Sequence, residues 1–333
     1  MKVLLDKNKN FYKANLHTHS TYSDGKLTVE QIKEEYKKRG YSIVAITDHE
    51  HIIDNSRLDD EEFLTITSCE VAVKEIADVS TLKKFDMKVA HFNFYAQDQH
   101  NNLTPCYNSV YDHYVNDETK DLIHYDGEYE RIYSVDEMNK MIKIANDSGF
   151  IVSYNHPTWS LENATQYLNY EGLFAVEIYN HSCTTTGTPT DESVFEDMLR
   201  AGKKIYCTCC DDAHNYHDFS SPRNDSFGGW VCINAEKLEY SEIMKALQNG
   251  EFYASTGPEI LSLVQDGDKV KVKTSPCSKI FLLTDGRRKG AVLAENGETV
   301  CEAEFILNEQ DRFFRIRVED ENGKNAYTQA YYV

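Results

Sequence analysis

Short apolar, β-prone runs alternate with helical stretches along this chain, and most of the runs deliver a His, Asp or Glu near an end. Residues 42–47 (Ser-Ile-Val-Ala-Ile-Thr) form a continuous apolar run and lead into Asp48-His49. That pattern suits a strand buried on both faces of a parallel sheet. Residues 11–19 read as an earlier strand ending in His17-Thr18-His19, residues 63–70 end in Glu70, and residues 87–95 carry His91. Residues 150–154 deliver Asn155-His156-Pro157, residues 174–179 precede Asn180-His181, and residues 204–209 lead to Cys210-Asp211-Asp212-Ala213-His214. Between the runs, Thr28 and Gln31 form a capping box for a helix stopping at Gly40, and Ser134 and Glu137 form one for a helix ending near Gly149. Another helix is predicted over residues 192–200, before Gly202. Strands alternating with helices predict an α/β fold, either a parallel barrel or a doubly wound sheet.

On a strand, residues i and i+2 share a side, so His17 and His19 aim at one point. Asp24 follows five residues after His19, and Gly25 lets the chain turn sharply behind it. Imidazoles suit zinc, iron or manganese, and carboxylates suit the harder metals. In a βα barrel the C-terminal strand ends converge on one face. His17, His19, Asp24, His49, Glu70, His91, His156, Asp212 and His214 would then meet in one pocket. That set is too large for one tetrahedral zinc. It suits two or three divalent ions (Mn, Fe or Zn) with Glu70 as a bridging carboxylate. Cations roughly 3.5–4 Å apart can share a hydroxide and clamp an in-line displacement at phosphorus. The expected nucleophile is therefore a metal-bound hydroxide, with no Ser or Cys required.

Further assignments follow from position. Arg223, in the loop after Asp-Ala-His, is placed to meet a substrate phosphate with its forked guanidinium. His181, after a strand, could protonate a leaving oxygen. Asp48 could orient the adjacent His49. Asp211 and Asp212 should point to opposite sides if the strand persists that far, which decides which of them is a ligand. Residues 96–133 are polar and rich in Asn, Asp and Tyr, and read as a long insertion, either a lid or a passive surface loop. After Pro258 the chain becomes a series of short strands separated by Asp-Gly and Glu-Asn-Gly turns. Residues 258–333 are thus expected to form a small antiparallel β-sandwich domain, and residues 1–257 the metal-binding α/β domain.

Composition limits the functional classes. The 333 residues fit one domain of about 250 residues plus a small one. A net charge of −20 argues against an extended nucleic-acid surface. A small phosphorylated substrate is still compatible, because metal ions supply local positive charge. The nine cysteines include Cys207 and Cys209 in a predicted buried strand, and read as reduced core thiols of a cytoplasmic protein. No stretch approaches the roughly 18 apolar residues of a membrane span, and the N-terminus has no signal-peptide run.

Across about residues 13–257, the ordered motifs resemble those of the polymerase and histidinol phosphatase (PHP) family. They are Asn15-Leu-His-Thr-His-Ser20, Ser23-Asp-Gly25, Ile46-Thr-Asp-His49, Glu70, His91, Asn155-His-Pro157 and Asp212-Ala-His214. The resemblance implies a distorted (β/α)7 TIM-like barrel. It implies that His17, His19, Glu70 and Asp212 hold one metal, that Glu70, His91 and His156 hold a second, and that Asp24, His49 and His214 hold a third. Some members carry a histidine where Asp24 stands. Glu251-Phe-Tyr-Ala-Ser-Thr-Gly-Pro258 and the strands after it resemble a PHP subgroup with a C-terminal sandwich. The implied activity is metal-dependent hydrolysis of a small phosphomonoester, or of a nucleotide or oligonucleotide phosphate. The same cluster could instead cleave a carbon ester, carbamate or amide, or could stabilise a non-catalytic interaction module.

Overall fold

The computed structural model describes residues 1–75, 87–287 and 290–333. Strands β1 (Lys2–Leu5) and β2 (Asn10–Asn15) lead into helix α1 (Val29–Lys37). Thr28 and Gln31 form the expected reciprocal cap, and α1 turns Val29, Ile32 and Tyr36 into a buried cluster with Val44 and Ile46. Strands β3 (Ile43–Ile46), β4 (Leu64–Lys74) and β5 (Val89–Ala96) follow, almost wholly buried. Two short strands, β6 (Leu103–Thr104) and β7 (His124–Tyr125), pair with each other inside the predicted insertion.

Next come α2 (Val135–Asp147), capped by the Ser134 side chain, then β8 (Phe150–Tyr154) and α3 (Ala164–Tyr167). They are followed by β9 (Ala175–Asn180), α4 (His181–Thr185), α5 (Glu192–Arg200) and β10 (Tyr206–Cys210). Strand β11 (Trp230–Ala235), helix α6 (Tyr240–Gln248) and β12 (Phe252–Ser255) complete this part. The remainder is all strand: β13 (Ile260–Asp266), β14 (Lys269–Cys277), β15 (Lys279–Thr284), β16 (Gly290–Leu293), β17 (Val300–Ile306), β18 (Phe313–Glu319), β19 (Asn325–Thr328) and β20 (Tyr331–Tyr332).

Among the described residues the main sheet has 14 strands in the order β10-β9-β8-β5-β4-β3-β2-β11-β12-β19-β18-β15-β16, with β20 on β18. Pairings β2–β3, β3–β4, β8–β9 and β9–β10 are parallel, as the apolar runs predict. Strand β5 differs, running antiparallel to both β4 and β8. This reversal brings the early residues of β5 to the end of the sheet where its neighbours finish. His91 therefore stands opposite Ala72, two residues past Glu70. The ladder is not closed among the described residues. β10 packs beside β11 and β12 without strand pairing, and a single parallel bridge, Thr18 with Ala213, joins the curled sheet at the histidine-bearing end.

A second sheet, β1-β13-β14-β17, faces the far part of the main sheet. Strand β14 alternates exposed and buried residues, as a strand with one wet face does. Leu5, Leu263 and Val272 share one apolar cluster with Ile280, Phe314 and Ile316 across the two sheets. The chain's first strand is thus built into the layer made by its last segment. No helix among the described residues is long and apolar enough to cross a membrane.

Candidate metal centre

The loops leaving β2, β3 and β10, the middle of β4, the start of β5 and the loop leaving β8 meet at one end of the curled sheet. Hydrogen bonds from His19 N to Ala213 O (2.9 Å) and from Asp212 N to His17 O (2.9 Å) lock two of these segments together. Glu70 N donates to Asp48 O (3.1 Å), which fixes the Asp48-His49 segment beside β4. Gly25 is needed for space: a Cβ there would lie 2.3 Å from the His19 carbonyl oxygen.

All the sequence-predicted ligands arrive at this end, in three groups whose candidate ligand atoms lie within 4.8 Å of one another. They are His17, His19, Glu70 and Asp212; Glu70, His91 and His156; and His19, Asp24, His49 and His214. Glu70 is central and 1% exposed. Its Oε1 lies 3.1 Å from His17 Nε2, 3.1 Å from His91 Nδ1 and 3.3 Å from His156 Nε2. Its Oε2 lies 3.5 Å from His19 Nε2 and 3.2 Å from His49 Nδ1. Asp212 Oδ1 approaches His19 Nε2 (3.1 Å) and His17 Nε2 (3.2 Å). Asp24, nearer solvent, faces His19, His49 and His214 at 3.4–3.7 Å.

The donor set fits a cation better than internal hydrogen bonding. His17 Nε2, His19 Nδ1 and His91 Nδ1 are buried and make no hydrogen bond, although each faces a carboxylate. Buried polar atoms without partners are rare and call for an explanation such as an ion. Three hydrogen-bonded residues outside the groups hold the ligands. Glu177 accepts from His17 Nδ1 (3.0 Å), which turns the Nε2 lone pair toward Glu70 and Asp212, and also from His156 N and Asn180 Nδ2. Asn180 Nδ2 reaches Asp212 Oδ2 (3.0 Å), and Asn155 donates to Glu70 Oε1 (2.8 Å). Such outer carboxylate–histidine contacts fix tautomer and ring orientation. His156 and Asp212 both have positive φ, 28° and 54°. In a residue with a Cβ that is backbone strain of the kind found at functional sites.

The charges divide accordingly. Burial opposes charge on His17, yet Asp212, Glu70 and Glu177 hold its pKa well above the ordinary value. Burial would raise the Glu70 pKa, but His91 and His17 keep it well below the carboxylate range. For Asp212, burial is likewise outweighed, chiefly by His17 and by the His19 hydrogen bond. Burial, reinforced by the neighbouring His19 and His91, pushes His49 down to about 3, which leaves it the neutral imidazole a metal requires.

The other sequence assignments divide. Asp211 points away from the groups, accepting from Tyr36 Oη and from the amides of Phe227, Gly228 and Gly229. The strand ends at Cys210, so it is the left-handed backbone at Asp212 (φ 54°), not strand alternation, that accompanies the opposite directions of the two carboxylates. Asp48 binds the amides and hydroxyls of Ser20 and Ser23, shaping the turn that carries Asp24 and leaving His49 to other contacts. His181 is not among the residues lining the cavity over the groups. Its Nδ1 is bonded to Tyr179 Oη (2.9 Å), and its ring fills the space beside Gly228. Arg223 is exposed and also outside the lining. The 96–133 insertion is anchored by buried pairs, His51 with Asp112 (2.9 Å) and Arg131 with Glu50, and it lays Tyr114 flat against His49 (5.5 Å between rings). The sequence reasoning passed over Glu177, Asn180, Asp225 and the aromatic rim of Tyr114, Trp159 and Tyr216. For Glu177 a signal existed, since it is the lone charge inside the apolar run 174–179.

The PHP domain family matches residues 15–184, half of the chain. The chain belongs to the PHP family. The matched span of this PHP chain carries His17 through His156, whereas Asp212 and His214 lie beyond it and join the site through the 17–19 and 212–213 contacts. Similar solved structures include a two-domain protein from Bacteroides vulgatus containing a predicted PHP-like metal-dependent phosphoesterase. It is 13% identical, with 98% of this chain and 96% of that chain covered and a TM-score of 0.47. A putative metal-dependent phosphoesterase from Bifidobacterium adolescentis is 15% identical over 62% of this chain and 90% of its own, with a TM-score of 0.36. An amidohydrolase from Chromobacterium violaceum is 13% identical over 60% and 87%, with a TM-score of 0.37. No curated protein matches the chain.

Because Glu177 touches no substrate-facing surface of the PHP site but orients His17, its removal should act on metal affinity. Glu177→Ala is expected to weaken metal binding about 10–100-fold, the usual effect of losing such an outer partner. Competition against a chromophoric chelator measures this, and unaltered affinity would rule out the orienting role.

Proposed function

We propose that this PHP chain is a metal-dependent phosphoesterase acting on a small phosphomonoester, with two or three divalent ions (Mn, Fe or Zn) as cofactors. The observation that carries this reading is Glu70, one buried carboxylate whose two oxygens reach histidines of all three groups. His17, His19, Glu70 and Asp212 would hold one ion. Glu70, His91 and His156 would hold a second, and Asp24, His49 and His214, with His19 alongside, a third. Bound there, divalent ions supply Lewis acidity and lower the pKa of water.

The chain's own residues supply placement. Glu177 fixes the orientation of His17 and of the His156 backbone, and Asn155 and Asn180 hold the carboxylates of Glu70 and Asp212. A cavity of about 410 Å³ opens over the groups, enough for a small ester and too small for a long polymer. Among the described residues no lysine or arginine lines it, so the cations would carry the compensation of substrate charge. In this reading residues 1–257 form a barrel-like metal-binding unit and residues 258–333 a small β-sandwich that packs against it. Nine unpaired thiols, eight of them buried, favour a reducing, cytoplasmic setting.

The test is a substrate panel on chelator-stripped protein reloaded separately with manganese, iron or zinc. Phosphomonoesters should be cleaved only after reloading, at least about tenfold faster than phosphodiesters, aryl carboxylic esters or carbamates, a transition-state preference above roughly 1.4 kcal/mol. Preferential carbamate or carboxylic ester cleavage would move the activity to carbon centres. No hydrolysis with any metal would remove the enzymatic reading.

A further inference from the structure

We propose that Trp159 is a stacking platform for a planar aromatic group of the substrate, so that the site takes phosphomonoesters of ring-bearing alcohols in preference to ring-free ones. This rests on the phosphoesterase reading above and specifies its substrate class.

Trp159 lines the cavity yet is 45% exposed. Its indole does not fold into the core. It leans on two candidate ligands, with ring centroids 5.3 Å from His91 and 4.8 Å from His156. The backbone beneath it is fixed. Asp191 accepts from the Thr158 amide (3.1 Å) and hydroxyl, Ser160 N donates to His156 O (3.1 Å), and Leu161 has a φ of 59°. An indole that lines a polar cavity and packs against two candidate ligands offers its remaining face to whatever enters, as aromatic residues lining ligand sites do. A second ring, Tyr216, 53% exposed, also lines the cavity, stacked on His214 (6.0 Å, 15°) at the outermost group. The cavity thus has aromatic side chains over both the His91/His156 and the His214 sides.

The rest of the lining restricts the ligand further. Apart from the candidate ligands and the two rings it is lined by Ser182, Cys183, Thr186 and Asp225, with no cationic side chain among the described residues. A strand of nucleic acid needs a basic track for its successive phosphates, and none lines this cavity among the described residues. The remaining fit is a compound with one phosphate, placed at the carboxylate–histidine groups, and one ring a short linker away on Trp159. Stacking of a base or aryl ring on an aromatic side chain changes affinity from about fivefold to more than a hundredfold.

The protein has two tryptophans, so in the full-length W230F variant Trp159 is the sole indole emitter. Manganese-loaded W230F would be titrated with phenylphosphonate and with methylphosphonate, whose carbon–phosphorus bonds do not hydrolyse, so binding is read apart from turnover. Phenylphosphonate should quench the emission and bind about tenfold more tightly than methylphosphonate. Calorimetry on wild type and W159A, neither of which depends on the Trp230 substitution, should show this preference lost in W159A with metal content unchanged. W159F should restore most of it. Equal affinity for the two phosphonates, or a preference surviving in W159A, would overturn the proposal. Should neither phosphonate bind, it is the phosphoester reading that has failed, and the same comparison with benzoate and acetate then decides on Trp159.

Discussion

Glu70→Gln is expected to lower turnover by well over about a hundredfold and to cut metal content per chain sharply, while the protein still folds. Loss of a mere outer-shell partner already costs about 10–100-fold, and Glu70 lies inside two of the three groups. Glutamine preserves the volume, so no cavity opens in β4. The backbone of residue 70 stays held by its bonds with Asp48 and Glu50 (3.1 and 2.8 Å). What disappears is the negative charge at the centre of buried imidazoles from His17, His91 and His156, and a neutral amide cannot bridge cations as a carboxylate does. Elemental analysis of protein purified without chelator, followed by turnover with added manganese, measures both effects. Wild-type metal content together with wild-type turnover would mean that the groups do not share Glu70, and the multinuclear reading would fall with it.

The gathering of the candidate ligands was legible in the sequence because most of them sit beside a local pattern that reports their position. An apolar run such as 42–47, short and rich in β-branched residues, suits a buried strand, so the polar residue following it emerges at the C-terminal end of that strand. That logic put His17, His49, His156 and Asp212 at one end of the sheet, but the period-2 rule could not separate Asp211 from Asp212, because β10 ends at Cys210, before both. It reached Glu70 and His91 by a less secure route. Glu70 lies inside a longer strand that continues to Lys74, and His91 lies near the start of a strand running the other way. Strand direction is set by which neighbour the chain finds, a long-range choice that apolar periodicity does not encode. The outer contacts were hidden for the same reason, since His17 and Glu177 are 160 positions apart. So was the Trp159 platform: an aromatic residue in a loop reads alike whether its ring is buried or held out over a cavity. The tail was read correctly as short strands, but not that β1 from the N-terminus would join their sheet or that β12 and β19 would run the two parts together.

Arg315→Ala is expected to destabilise the fold by about 3 kcal/mol or more, and Arg315→Met by clearly less. Arg315, on β18, is 1% exposed, and its Nε and Nη2 donate to Glu196 while Nη2 also meets Glu192 (2.9 Å), both on α5. Arg317 adds a second contact to Glu192 (3.2 Å). The guanidinium also lies over the Phe195 ring, at 5.6 Å. Alanine leaves a void under that ring and strips two carboxylates of their counter-charge. Methionine fills the void, and replacing buried ions by apolar volume is often close to neutral. Urea unfolding of wild type and both variants measures the difference. Alanine and methionine variants of equal stability would show that packing is irrelevant there, and an alanine variant within about 0.5 kcal/mol of wild type, the range of an ordinary surface change, would show that the clamp carries no weight. The clamp matters to the site because α5 directly follows Asp191, whose carboxylate holds Thr158, next to Trp159 and two residues from His156. The strands after residue 258 thereby grip, through one helix, the loop that carries a candidate ligand and the proposed platform. Arg315→Ala should accordingly loosen phenylphosphonate binding more than it alters metal content, whereas Glu70→Gln should do the reverse.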